Sequence, residues 1–163
     1  MKEQNFLAKL KDQEKLKIVE PSDEISSSYL QKADNCLKSA KLLLKNSLFE
    51  NSIINSYYTM YNSLLALLFK TGIKSENHSG SILLLKELFQ RKDLYNLISK
   101  AKEERIDKQY YVESKENTSL EQPSKELLID AEDLLINIKL FIESLNSEQI
   151  SKFRNKFKEL TKK

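Results

Sequence analysis

The stretch Glu50–Gly72, ENSIINSYYTMYNSLLALLFKTG, constrains this chain more than any other. It reads as a single helix of about six turns. Ile53, Ile54, Tyr57, Tyr58, Met60, Tyr61, Leu64, Leu65, Leu67, Leu68 and Phe69 leave it apolar over most of its circumference. The exception is a line of mostly small residues, Ser52, Ser56, Thr59, Ser63 and Ala66, ending at Lys70. Their i, i+4, i+7, i+11 spacing places them along one side, where a second helix can approach closely. Such a helix belongs at the centre of a bundle. Asn51, Asn55 and Asn62 interrupt any run of about 20 apolar residues, so it is not expected to span a membrane.

The rest of the composition agrees. A chain of 163 residues suits one domain with a substantial core. Two Gly and two Pro are too few for a fold of many tight turns, and a net charge of +3 does not by itself imply nucleic-acid binding. The N-terminal MKEQNFLAKLKDQEKLK has no continuous apolar core and is not expected to be a signal peptide. One Cys and one His cannot build a Cys/His zinc site, and there is no Glu-x-x-His pair or Gly-rich phosphate loop. No metal and no cofactor are expected. Chemistry must come from Arg, Tyr, carboxylates, amides and one imidazole.

The chain then divides into three segments. Residues 1–21 are an N-terminal arm or short amphipathic helix, with Phe6, Leu7, Leu10 and Leu16 on one side, broken by Pro21. Residues 22–146 form a helical bundle. Ser22 caps a helix to about Asn46 whose Leu30, Ala33, Leu37, Ala40 and Leu44 make a 3-4-3-4 seam, with Cys36 at its edge. A short turn makes it the antiparallel neighbour of the central helix. Residues 70–81 are a polar connection that Gly72 opens, and Ser79 or Ser81 caps the next helix. Asp93 caps another, on whose apolar face (Leu94, Leu97, Ile98, Ala101) Arg105 falls. An Arg there must pair, snorkel or serve a site. Tyr110-Tyr111-Val112 ends that helix, and Pro123-Ser124 announces one to about Leu145. Asn146 and Gln149 form a capping box for residues 147–163, a basic helix whose phase break suggests an appendage that the fold could lose.

Several of these pieces, taken in order, resemble a known family. They are Tyr57-Tyr58-Thr59-Met60-Tyr61-Asn62, then Leu64-Leu65-Ala66-Leu67-Leu68, Gly72-Ile73, Ser75-Glu76-Asn77-His78-Ser79-Gly80, and Arg105 followed by Tyr110. The pattern is similar to the HEPN domains (higher eukaryotes and prokaryotes nucleotide-binding). It most resembles the bacterial and archaeal branch with the signature YYAMFHAA…LL…G…SHSG…R…DY, over roughly Ile18–Leu145. The resemblance implies an all-α up-and-down bundle of four to five helices, often dimeric; the phase break adds a short appended C-terminal helix, and the single Cys fits a cytoplasmic protein. It implies a minimal nucleotidyltransferase partner in a toxin–antitoxin pair.

Many members are metal-independent ribonucleases with an Arg-x4-6-His motif. Here the motif lands on Arg105 and Tyr110, which replaces the His. A phenol with a pKa near ~10 is a poor base beside an imidazole near ~6.5. The catalytic candidates carried over are therefore Arg105 and Tyr110. Tyr111, near a tyrosine that partners nucleotidylate in some members, is a nucleotide- or RNA-binding candidate together with Asn62, His78 and Tyr58. Two readings stay open: a ribonuclease toxin with a degenerate motif, or an inert helical module that docks a nucleotidyltransferase and helps bind nucleotide or substrate.

Overall fold

The structure, a computed structural model, describes residues 2–110 and 120–162, the side chains of 106–110 excepted. Its elements in order are α1 (Lys2–Asp12), β1 (Leu16–Ile18), α2 (Asp23–Lys45), α3 (Phe49–Lys70), β2 (Ile73–Ser75), α4 (His78–Glu87), α5 (Lys92–Tyr110), α6 (Glu121–Ser144) and α7 (Ser147–Leu160). The fold is all-α apart from one small sheet. Among the described residues no helix is long and apolar enough to cross a membrane.

Helix α3 is the centre, as its all-round apolarity requires. Ile53, Tyr57, Met60, Leu64, Leu67 and Leu68 are fully buried. Its line of small residues is filled from within the chain, by α2. Ser52 Oγ donates to the Ala40 carbonyl at 2.9 Å, and Lys70 Nζ meets Asp23 at 2.6 Å. Ala33 and Ala40 of α2 are wholly buried. The close approach that the small residues permit is therefore used inside the protomer and is not open to a second copy.

The same pairs fix the directions. Ser52 with Ala40 and Lys70 with Asp23 make α2 and α3 antiparallel. Lys41 with Glu132 and Asp34 with Lys139 set α6 antiparallel to α2. Arg91 with Asn137 and Lys100 with Asp130 do the same for α5 and α6. The long helices thus alternate in direction. The α2 seam closes on Leu128 and Leu135 of α6.

Local signals explain most helix ends. Ser22 accepts from the Ile25 amide, and Asn146 with Gln149 forms a reciprocal capping box. Gly72 follows α3 with φ 71°, a conformation only glycine adopts without strain. Two sequence expectations are corrected. Asn77, not Ser79 or Ser81, caps α4, because its side chain reaches the Gly80 amide at 2.8 Å. Asp93 lies inside the first turn of α5, and its carboxylate is held by the Arg91 guanidinium.

The N-terminal arm also differs from expectation. Its helix ends at Asp12, and Leu16 lies in β1, which pairs antiparallel with β2 in the register Leu16↔Ser75, Lys17↔Lys74, Ile18↔Ile73. A segment read as helix and a segment read as polar connection thus complete each other's backbone hydrogen bonds. Periodicity within either stretch cannot reveal a pairing made between them. Leu7, Leu10 and Leu16 join the main core, and Gly80 leaves room for Leu10 against α4.

Helix α7 is docked rather than appended. Phe157 is fully buried in that core, while Phe153 packs with Phe89 and Phe141. Arg154 donates to the carbonyls of Val19 and Gly72, and Lys156 to that of Leu88. Its basic residues therefore close the ends of the sheet and of α4. Phe157→Ala should cost about 3–5 kcal/mol in urea unfolding. A loss below about 1 kcal/mol would mean that α7 is only loosely attached.

Candidate functional site

Where α3, α4 and α5 meet, aromatic rings and cations collect. The α3 sequence puts Tyr57, Tyr58 and Tyr61 on adjoining faces, since residues three and four apart are neighbours. The Asn77 cap starts α4 one residue before His78, so the imidazole projects from the first turn of that helix. Its ring lies on Tyr61 with centroids 3.9 Å apart and planes within 9°. Its Nδ1 is 2.6 Å from the Tyr57 hydroxyl.

Arg105, from the apolar face of α5, covers the other side of this cluster. Its guanidinium carbon is 4.7 Å from the centre of the Tyr57 ring and 5.7 Å from that of Tyr58. Nη1 donates to the Tyr58 hydroxyl at 3.1 Å. Nε is buried and has no hydrogen-bond partner among the described residues. One turn earlier, Lys102 Nζ donates to Ser79 Oγ at 2.6 Å, tying α5 to the start of α4.

The electrostatics follow from this packing. Burial pushes the Tyr57 hydroxyl far above its ordinary range, opposed in part by Arg105. Burial likewise raises Tyr61, against a hydrogen bond with Ser81. Burial, then the positive charges of Arg105 and Lys102, lower the pKa of His78. At neutral pH the imidazole is therefore uncharged and Tyr57 keeps its proton. Nδ1 is the one acceptor of that phenol among the described residues, so Tyr57 donates and Nε2 carries the ring's proton. Chemically the site is rich in donors: an Arg Nε–H, an imidazole Nε2–H and a nearby ammonium. It suits an anion with several acceptor oxygens, such as a phosphate.

Of the residues singled out from sequence, Arg105, Tyr58 and His78 come together here. Asn62 instead turns toward α2, donating to the Tyr58 carbonyl at 2.8 Å and to Cys36 Sγ at 3.7 Å. The side chain of Tyr110 and all of Tyr111 lie outside the described residues. Sequence reading assigned Tyr57 and Tyr61 to the core and passed over Lys102. The available signals were the tyrosines four residues apart and a Lys three residues before the Arg. Among the described residues, no group of three or more His, Cys, Asp or Glu could hold a metal ion.

The chain is thus an all-α bundle in which an arginine packed on tyrosine rings lies near a histidine at the start of α4. The family model described as HEPN domain matches residues 26–148, and the chain belongs to that family. It is 24% identical over 117 residues to a Methanocaldococcus jannaschii protein named "Putative toxin MJ0605", covering 69% of this chain and 80% of that one. It is 34% identical over 58 residues to a Thermotoga maritima UPF0332 protein, covering 36% of this chain and 44% of that relative. A UPF0332 protein of Gloeobacter violaceus is 34% identical over 55 residues, again across 44% of its length.

His78 is the chain's one histidine, so its titration is directly readable. Imidazole NMR should give a pKa below about 6.5 and an Nε2–H tautomer. Arg105→Ala should raise that pKa by removing one of the nearby charges. The unfolded chain takes up this proton first as pH falls, so stability should decline below about pH 6.5. That decline should be absent in His78→Gln.

Proposed function

We propose that this chain is the toxin-like member of a toxin–antitoxin pair, acting in the cytoplasm on RNA, with a minimal nucleotidyltransferase as its antitoxin partner. The observation that carries the reading is the buried Nε of Arg105, without a partner among the described residues and held over Tyr57 beside His78. A buried donor without a partner costs about 1–3 kcal/mol. A phosphodiester oxygen would remove that cost. The name of the Methanocaldococcus jannaschii relative supports the toxin assignment.

In this reading the protein is a metal-independent endoribonuclease. The 2′-hydroxyl of RNA attacks phosphorus and the P–O5′ bond breaks, leaving a 2′,3′-cyclic phosphate and a 5′-hydroxyl; water takes the proton from the 2′-oxygen and supplies one to the departing 5′-oxygen. Arg105 holds the scissile phosphate and stabilises the charge that builds on it. His78, as a neutral donor at Nε2, binds a second oxygen, and Tyr110 donates a further hydrogen bond. Tyr58 positions Arg105, whereas Asn62, turned toward α2, takes no part; a role for Tyr111 at a flanking nucleotide rests on the family resemblance alone. None of these groups is a strong base at neutral pH, so cleavage is slow. Ile129, Ile136 and Leu140, large and exposed along the outer face of α6, support a homodimer. Light scattering should then give twice the 19.0 kDa chain mass.

The alternative is a catalytically inert module that docks the nucleotidyltransferase and helps bind nucleotide or substrate. The tyrosine at the place of the motif histidine and a His78 already engaged by Tyr57 favour it. Expression in a host without the partner separates the two. Wild type should be toxic and degrade RNA with or without chelator. Arg105→Ala, melting like wild type, should lose about 10²–10³-fold in cleavage rate. No cleavage by wild type between about pH 6 and 9 would leave the binding module as the better account.

A further inference from the structure

Beside this site runs a separate cleft between α1, α4 and α5, with a volume of about 360 Å³. That is within the usual range for small-molecule sites. Its walls are apolar where Phe6, Ile82 and Tyr95 line it and polar at Ser79, Ser99 and Lys102. Phe6 remains 37% exposed on a helix whose Leu7 and Leu10 are buried, so an aromatic face is left open to the cleft.

The wall shared with the Arg105 site is the Lys102–Ser79 contact. Ser79 follows His78 at the start of α4, and Lys102 precedes Arg105 by one turn of α5. A molecule with its anionic group on Arg105 and Lys102 would thus place whatever is attached to that group in the cleft. Two aromatic residues in a small apolar slot beside a phosphate-binding arrangement suit a planar, stackable group.

The rim adds selectivity. Two carboxylates line it, Glu3 and Glu103. Both Glu3 oxygens are taken by Lys86 Nζ at 2.9 Å. Glu103 is exposed and has no partner among the described residues, so it is available to accept from an amino group.

We infer that the cleft between Phe6 and Tyr95 is a nucleobase subsite, which takes a base carrying an exocyclic amino group next to the phosphate held by Arg105 and Lys102. This rests on the phosphate-binding reading of Arg105 and adds to it the recognition of a base. Stacking supplies affinity for any base, and Glu103 favours adenine, cytosine or guanine over uracil.

The test is calorimetric titration of the full chain at low salt with inorganic phosphate and with the 3′- and 5′-monophosphates of adenosine, cytidine, guanosine and uridine. An amino-bearing nucleotide should bind at least about ten-fold more tightly than phosphate, with uridine monophosphate between them. Ser99→Phe fills the cleft and should abolish that advantage while leaving phosphate affinity unchanged. Glu103→Gln should shrink the gap to uridine monophosphate. Nucleotides binding wild type no more tightly than phosphate would overturn the subsite while leaving Arg105 as a phosphate site. Equal affinity for all four nucleotides would overturn the role of Glu103. Failure of phosphate itself to bind wild type would overturn the subsite and the reading beneath it.

Discussion

The candidate site depends on the hydrogen bond between Tyr57 and His78, 2.6 Å long, between two rings that packing has already fixed. Tyr57 is fully buried in the central helix, so its hydroxyl must find a partner inside the protein. His78 is that partner. The bond fixes the start of α4 against α3 and orients the imidazole. The same tyrosine ring carries Arg105 on its face. A cation over a ring is worth about 0.5–2 kcal/mol, rising with burial, which helps keep this half-buried guanidinium in place.

The three groups form a unit whose chemistry none has alone. Arg105 and Lys102 help to keep His78 neutral, and the neutral ring can accept a hydrogen bond from Tyr57. The result is a concentration of donors, Tyr57, Tyr58, Tyr61, His78, Ser79, Lys102 and Arg105, with no carboxylate bonded to them among the described residues. Such an arrangement binds an anion better than it moves a proton. Its chemistry thus suits holding a phosphate more than fast acid–base catalysis.

The central helix was legible in the sequence because it is long, apolar on nearly every side and bounded by Gly72. The α2 seam and the Asn146–Gln149 box were legible because both are local patterns. The β1–β2 pair was not, because Leu16–Ile18 and Ile73–Ser75 are complementary only across the chain. The docking of α7 was hidden for a related reason. Arg154 and Lys156 look like a solvated basic face until the carbonyls of Val19, Gly72 and Leu88 are brought to them. At the site, Arg105 stood out because a charge on an apolar face demands an explanation. Tyr57 and Tyr61 did not, because an aromatic residue on a buried helix is ordinary core until a cation or an imidazole is seen against it. Asn62 followed the family pattern in sequence, but its side chain lies on the α2 side of the central helix.

The central claim is that Arg105 offers an anion a preorganised donor that no described residue occupies. The Nε–H proton of Arg105, followed by ¹H–¹⁵N NMR during addition of inorganic phosphate, tests it most directly, with Arg91 and Arg154 as internal controls. Arg91 already pairs with Asp93, and Arg154 with backbone carbonyls. The Arg105 signal should move downfield and saturate while the other two stay near their starting positions. An Arg105 signal that stays fixed at phosphate concentrations high enough to shift Arg91 or Arg154 would contradict the account.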